Sequence, residues 1–222
     1  MAAIQKSLKT IGGNSGGLFR KKYFKPLLIA FLISSFNQLT GINAILYYAP
    51  RIFELSGLFR EGAMVQSIMI GLTNLTFTML GMILIDKVGR KKLIGFGSIG
   101  MFLSLALVAR GFYFEIFEGY YMLVCLMGYI AFFAVSLGAT IWVVISEVFP
   151  NSVRSGGQVF GSMTHWIWSA LLSWFFPVFL SIGATYIFGF FSMIALGSLV
   201  FAIKLPETKD KSLEEIQKEL IL

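Results

Sequence analysis

Ser155–Ile203, SGGQVFGSMTHWIWSALLSWFFPVFLSIGATYIFGFFSMIALGSLVFAI, runs 49 residues without an Asp, Glu, Lys or Arg. The hydrocarbon core of a bilayer takes about 20 apolar residues of helix. This stretch is therefore too long for one crossing and right for two, and Pro177 and Gly183 lie where the turn between them should fall. Working outward, the pattern repeats: Leu27–Ala49, Ala63–Ile85, Leu93–Ala109 and Gly119–Ser146 are also free of charge. Six helices are expected, over residues 27–49, 63–85, 93–113, 121–146, 156–177 and 184–203. The third carries Arg110 near its end, where a long side chain reaches the headgroups.

Composition agrees. Of 222 residues, 57% are hydrophobic and 13% charged, against about 45–50% and about 25% in soluble domains. Disorder is excluded for the bulk of the chain, and one Cys excludes a disulfide scaffold. Continuous apolar spans without period-2 alternation exclude a membrane barrel. The fold class is all-α, a six-helix membrane bundle.

The basic residues set an orientation. With the N-terminus placed in the cytoplasm, one face holds 15 of the 18 Lys and Arg, leaving only Arg51, Arg60 and Arg110 outside. By the positive-inside rule both termini are cytoplasmic. The net charge of +7 is then a topology signal with some anionic-lipid contact, not a nucleic-acid footprint. Residues 1–25 read as a flexible cytoplasmic leader without a cleavable signal peptide, and 26–204 as the bundle. Residues 205–222 read as a tail helix, with Ser212 as cap, Glu215 three residues later, and Leu213, Ile216 and Leu220 on one face.

The first span is not a plain anchor. It reads Ser34-Ser35-Phe36-Asn37-Gln38-Leu39-Thr40-Gly41-Ile42-Asn43-Ala44-Ile45-Leu46-Tyr47-Tyr48-Ala49-Pro50. Amides in hydrocarbon are costly unless they bond to something. On a regular helix Gln38 and Asn43 would lie roughly 140° apart. Gly41 between them invites a break, and broken helices at the midplane are how transporters build sites. Asn74 in the second span, Trp142 in the fourth, and His165 and Trp166 in the fifth extend the polar and aromatic set. Each alone reads as packing or interhelical glue. Together, amides and indoles offer paired donors and acceptors for hydroxyls and flat faces for C–H groups. No Asp, Glu, Lys or Arg lies at mid-span, so a charged-substrate site is not expected. No nucleophile–base set or metal-ligand cluster points to an enzyme.

At the basic face, Asp86-Lys87-Val88-Gly89-Arg90-Lys91-Lys92 joins spans two and three. Glu147 ends span four and Arg154 begins span five. A carboxylate at a helix C-terminus is poorly placed in the helix dipole and needs a cation. Arg90 is its expected partner, with Arg154 as a second, forming a latch that closes in one state and opens in another.

These motifs, in this order, resemble the C-terminal half of a sugar porter of the major facilitator superfamily. The resemblance rests on Asn37-Gln38, Gly41-Ile42-Asn43, Tyr47-Tyr48-Ala49-Pro50, Asn74-Leu75-Thr76, Asp86 to Lys91, Gly138 to Arg154, and Pro206 to Lys211. Two positions depart from the family pattern: Ala139 stands where a Pro is usual, and His165 where Asn or Gln is usual. The resemblance implies that Asn37, Gln38, Asn43, Tyr47, Asn74, Trp142, His165 and Trp166 contact sugar, while Asp86, Arg90, Glu147 and Arg154, from their placement at the helix ends, are the expected gate.

It also implies sugar transport, of a hexose or pentose, by alternating access between two six-helix halves. The implied partners are sugar, membrane lipid, a complementary six-helix half or second chain, and a co-transported proton; no cofactor is implied. The implied location is multi-pass in the plasma or inner membrane. A non-transporting sugar-binding membrane subunit and a non-functional piece of a transporter remain the alternatives.

Overall fold

The structure, a computed structural model, describes residues 17–57, 60–117, 119–211, 215, 216 and 220. The expected leader residues 1–16 and the expected tail cap at Ser212 and Leu213 lie outside them. A 3-10 turn, Lys21–Tyr23, leads into α1 (Phe24–Leu39) and α2 (Ile42–Leu55), which together make the first crossing. The second and third are α3 (Arg60–Val88) and α4 (Arg90–Tyr113). The fourth joins α5 (Tyr121–Phe133) to α6 (Ala139–Val148) through a π-helical segment, Ala134–Gly138. The fifth and sixth are α7 (Arg154–Ile182) and α8 (Ala184–Lys204). Among the described residues, six spans are thus long and apolar enough to cross a membrane.

The spans begin or end a few residues from where charge counting set them, and two differences have a definite cause. The first span was expected to stop at 49 and the fifth at Pro177, yet both continue through their prolines, to Leu55 and Ile182. Pro177 has no N–H for the carbonyl of Ser173, one turn earlier. The Tyr48 hydroxyl donates to that carbonyl at 3.1 Å instead. A neighbouring side chain that satisfies the freed backbone lets a membrane helix run on through proline. The chain turns at Gly183, whose φ of +152° suits glycine. At the start, helical structure begins at Lys21, ahead of the expected boundary at residue 26.

The core lies where α1, α2, α4, α5, α6, α7 and α8 meet. Phe53, Tyr129, Phe149, Phe176, Phe188 and Phe191 are fully buried there, with Phe112 stacked on Phe188 at 5.5 Å. Small polar residues let α4 and α8 approach closely: Ser98 and Ser198 hydroxyls sit 2.7 Å apart, and Ser192 donates to the Phe102 carbonyl at 3.0 Å. The second and fifth spans are different, with only 22% of each apolar window buried, against 61% for the first and fourth. They form the open sides of the bundle.

Candidate functional site

The break expected in the first span is present. α1 ends at Leu39, Gly41 takes φ +91°, and α2 starts at Ile42. A side chain at 41 would collide with the Phe191 ring, so both the backbone angle and the packing call for glycine. The Thr40 carbonyl left over at the break accepts the Tyr129 hydroxyl at 2.9 Å. The expected irregularity near Gly138 is the π-helical segment, a form that recurs at functional sites. Its Leu137 carbonyl accepts Asn37 Nδ2 at 3.1 Å, so the two irregular spans are tied together.

The break changes the geometry that a regular helix would give. Instead of facing apart, Asn43 Nδ2 donates to Gln38 Oε1 at 3.1 Å and to Ser169 Oγ at 2.7 Å. Gln38 Nε2 donates to Asn37 Oδ1 at 3.0 Å and lies 3.2 Å from Nε2 of His165. The result is a continuous chain of bonds from Ser169 through Asn43, Gln38 and Asn37 to the π segment, with His165 branching from Gln38. Asn37 and Gln38 are almost fully buried, at 2% exposure each. Both N–H groups of Asn43 are used inside the wall, which leaves its Oδ1 as an acceptor.

This wall backs an open concavity of about 340 Å³, within the size range of ligand pockets. All eight residues expected at the site line it: Asn37, Gln38, Asn43, Tyr47, Asn74, Trp142, His165 and Trp166. Ile42, Leu46, Thr78, Phe133, Gly138 and Ile141 complete the lining. The His165 ring is sandwiched between indoles, 5.0 Å from Trp142 and 5.2 Å from Trp166. Tyr47 and Trp166 stand at the rim, exposed on the same open side as the second and fifth spans. The sequence reading missed Ser169 and Thr78. Both carried a signal, since each lies four residues, about one helical turn, beyond a residue that was singled out, His165 and Asn74.

At the basic face, Arg90 Nη2 lies 2.8 Å from Glu147 Oε1. Its Nη1 reaches Asp86 Oδ1 and the Ile85 carbonyl, each at 3.1 Å. Arg90 is 9% exposed, so its charge depends on these partners. Arg154 does not join them: its Nε donates to the Phe149 carbonyl at 3.4 Å, and the second oxygen of Glu147 accepts the Thr208 hydroxyl at 2.6 Å.

The segment after α8, Leu205–Lys211, is not helical and packs under this cluster. Glu207 accepts the backbone N–H groups of Arg90 at 3.0 Å and Lys91 at 3.2 Å, which places a carboxylate on the N-terminus of α4, where the dipole favours it. Gly89, with φ +95°, gives Glu207 room, since a Cβ there would sit 2.7 Å from its Oε2. Lys209 Nζ donates to the last-turn carbonyl of Lys87 at 2.7 Å. Glu207 to Lys209 thus fasten the last turns of α3 and α6 and the first turn of α4 to one another. Their signal in the sequence was the Pro206-Glu207-Thr208 run, read as the start of the tail and as part of the family resemblance but not as a fastening.

The six spans, with their amide-lined concavity at a broken helix, match half of a major facilitator sugar-porter fold. The chain belongs to the sugar transporter family: residues 1–220 match the family model described as "Sugar (and other) transporter". It is similar to the arabinose-proton symporter of Bacillus subtilis, with 40% identity over 220 residues, which cover 97% of this chain and 47% of the relative. It is 34% identical over 216 residues to the D-xylose-proton symporter of Escherichia coli, covering 93% of this chain and 43% of the relative. Among solved structures it matches the proton:xylose symporter bound to 6-bromo-6-deoxy-D-glucose, with TM-score 0.84, 31% identity and 99% of this chain on 48% of that one. The chain spans about half the length of the relatives it matches. The family is one of multi-pass membrane transporters rather than enzymes.

Proposed function

We propose that this chain is the C-terminal half of a sugar porter and moves a hexose or pentose together with a proton, by alternating access against a complementary six-helix half. One observation carries the reading: eight polar and aromatic residues from four different spans line a single concavity, with the amides of Asn37, Gln38 and Asn43 held in fixed orientations by hydrogen bonds. Fixed donors and acceptors suit hydroxyl groups, and the indoles suit the apolar face of a sugar ring. The open side of that concavity, flanked by the two least buried spans, is the side the complementary half would cover. An uncovered polar groove in lipid would be costly.

The Arg90–Glu147 pair, with Asp86 beside it, is the inner gate in this reading, and Arg154 holds the turn before α7 rather than the pair. Both termini are cytoplasmic, in a plasma or inner membrane, as the 15 of 18 basic residues on one face support. The buried Ile216 and Leu220 support an amphipathic helix in the tail. The reading is tested by reconstituting the chain with its complementary half and measuring uptake of labelled xylose and glucose. Saturable uptake that Gln38→Ala reduces is expected. Binding without flux would favour a sugar-binding subunit, and neither binding nor flux would leave a non-functional piece.

A further inference from the structure

We infer that the groove between α1 and α8, at the basic face of the bundle, is a binding site for one anionic phospholipid. The groove encloses about 410 Å³ and is walled by Leu28, Leu32, Phe36 and Val200, with Lys25 and Lys204 also on its lining. The two lysines come from opposite ends of the chain, Lys25 from the first turn of α1 and Lys204 from the last turn of α8. Both are exposed, and among the described residues no carboxylate lines the groove to neutralise them.

The dimensions fit a lipid. From Lys25 to Phe36 the groove follows α1 for eleven residues, roughly 16 Å at about 1.5 Å per residue. One leaflet of a hydrocarbon core about 30 Å thick has the same depth. An acyl chain lying between Leu28, Leu32, Phe36 and Val200 would therefore bring its phosphate to the level of Lys25 and Lys204. The N-terminal field of α1 favours the same charge.

The charge selects the occupant. A protein surface docked here would have to bring carboxylates to the two ammonium groups and a separate apolar edge to the membrane-depth wall from Leu28 to Phe36, whereas an anionic lipid carries both in one molecule. A zwitterionic headgroup would carry its own cation towards two lysines. An anionic headgroup satisfies both and leaves its tail in the apolar wall.

The test is native mass spectrometry of the full chain released from nanodiscs of equal phosphatidylglycerol and phosphatidylcholine. Phosphatidylglycerol should be retained in preference. Lys25→Gln and Lys204→Gln should each lower its retention roughly fivefold, and the pair roughly 25-fold, as expected for basic residues at a membrane surface. Val200→Trp, which fills the groove and keeps both lysines, should remove the bound lipid. Lys87→Gln, on the same face but outside the groove, should leave retention unchanged. Equal retention of the two lipids would overturn the inference, as would losses matched by Lys87→Gln. Co-purification of a second protein with no retained lipid would also overturn it.

Discussion

In the middle of the bundle, Asn37, Gln38, Asn43 and His165 bond to one another and back onto irregular backbone, and the face they build is left open. At the basic face, Arg90, Glu147, Glu207 and Thr208 also bond to one another, yet their cluster is closed, with Thr208 and Arg90 nearly buried. The first cluster is built from neutral amides whose cost in hydrocarbon is met by a continuous hydrogen-bonded chain, so it tolerates an open side, the side proposed to take hydroxyls. The second holds full charges, which tolerate little exposure to the wrong dielectric and are enclosed by a segment from beyond the last span. The proposed binding surface and the fastening cluster are thus distinguished by charge and closure, although both are polar islands in one apolar fold.

The largest effect is expected at the closed cluster. Arg90→Gln leaves Glu147 without its cation, and Glu147→Gln leaves Arg90 only the exposed Asp86 as counter-ion, so each loses part of the about 3–5 kcal/mol that breaking a fully buried pair costs. Uptake with the complementary half present should fall to near background in either variant. The double variant should be far less than additive, because the second change removes a charge already stranded. A charge swap is a poorer probe, since a carboxylate at 90 would face Asp86, 3.1 Å from the present guanidinium. Additive damage in the double variant would separate the two residues.

At the open cluster, Gln38→Ala and Asn43→Ala should each weaken sugar binding by about 1–3 kcal/mol, as each removes a group that orients its neighbours and meets hydroxyls. Equilibrium binding of labelled sugar measures this, with thermal unfolding to check that the bundle is intact. Unaltered affinity in both would move the binding surface elsewhere. Ser169→Ala, which strips only one acceptor from Asn43, should cost less, about 0.5–1.5 kcal/mol.

Smaller effects test how irregular backbone is satisfied. Glu207→Ala should lower stability by about 0.5–2 kcal/mol through loss of the α4 cap, read as a shift of the thermal midpoint. Tyr48→Phe should cost about 0.5–1.5 kcal/mol in the native chain, because it strands the Ser173 carbonyl. In a Pro177→Ala background, where the backbone N–H is restored, the same change should be nearly neutral. An equal cost in both backgrounds would mean that Tyr48 does not compensate for the proline.

The number of spans was legible because charge spacing at about 20 residues leaves no other class. The break at Gly41 was legible because two amides out of phase on one helix cannot share a face unless the helix breaks between them. What the sequence concealed was cross-chain satisfaction. Pro177 reads as a stop until Tyr48, from another span, is seen to donate to Ser173. Arg154 reads as a partner for Glu147 until Thr208, 61 residues further along, is found on that carboxylate. Ser169 and Glu207 carried only weak signals, one helical turn from His165 and within the Pro206-Glu207-Thr208 run, and only the packing of distant segments gives each its partner.

Uptake of labelled xylose and glucose into liposomes holding this chain and its complementary half, compared between the native chain and the Gln38→Ala, Asn43→Ala double variant, addresses the open concavity itself. Saturable uptake by the native chain, and a rise of at least tenfold in the half-saturating sugar concentration for the double variant with folding intact, is the expected result. Saturable uptake with the same half-saturating concentration in both would show that sugar crosses without meeting these amides, and would contradict the reading of the concavity as the sugar site.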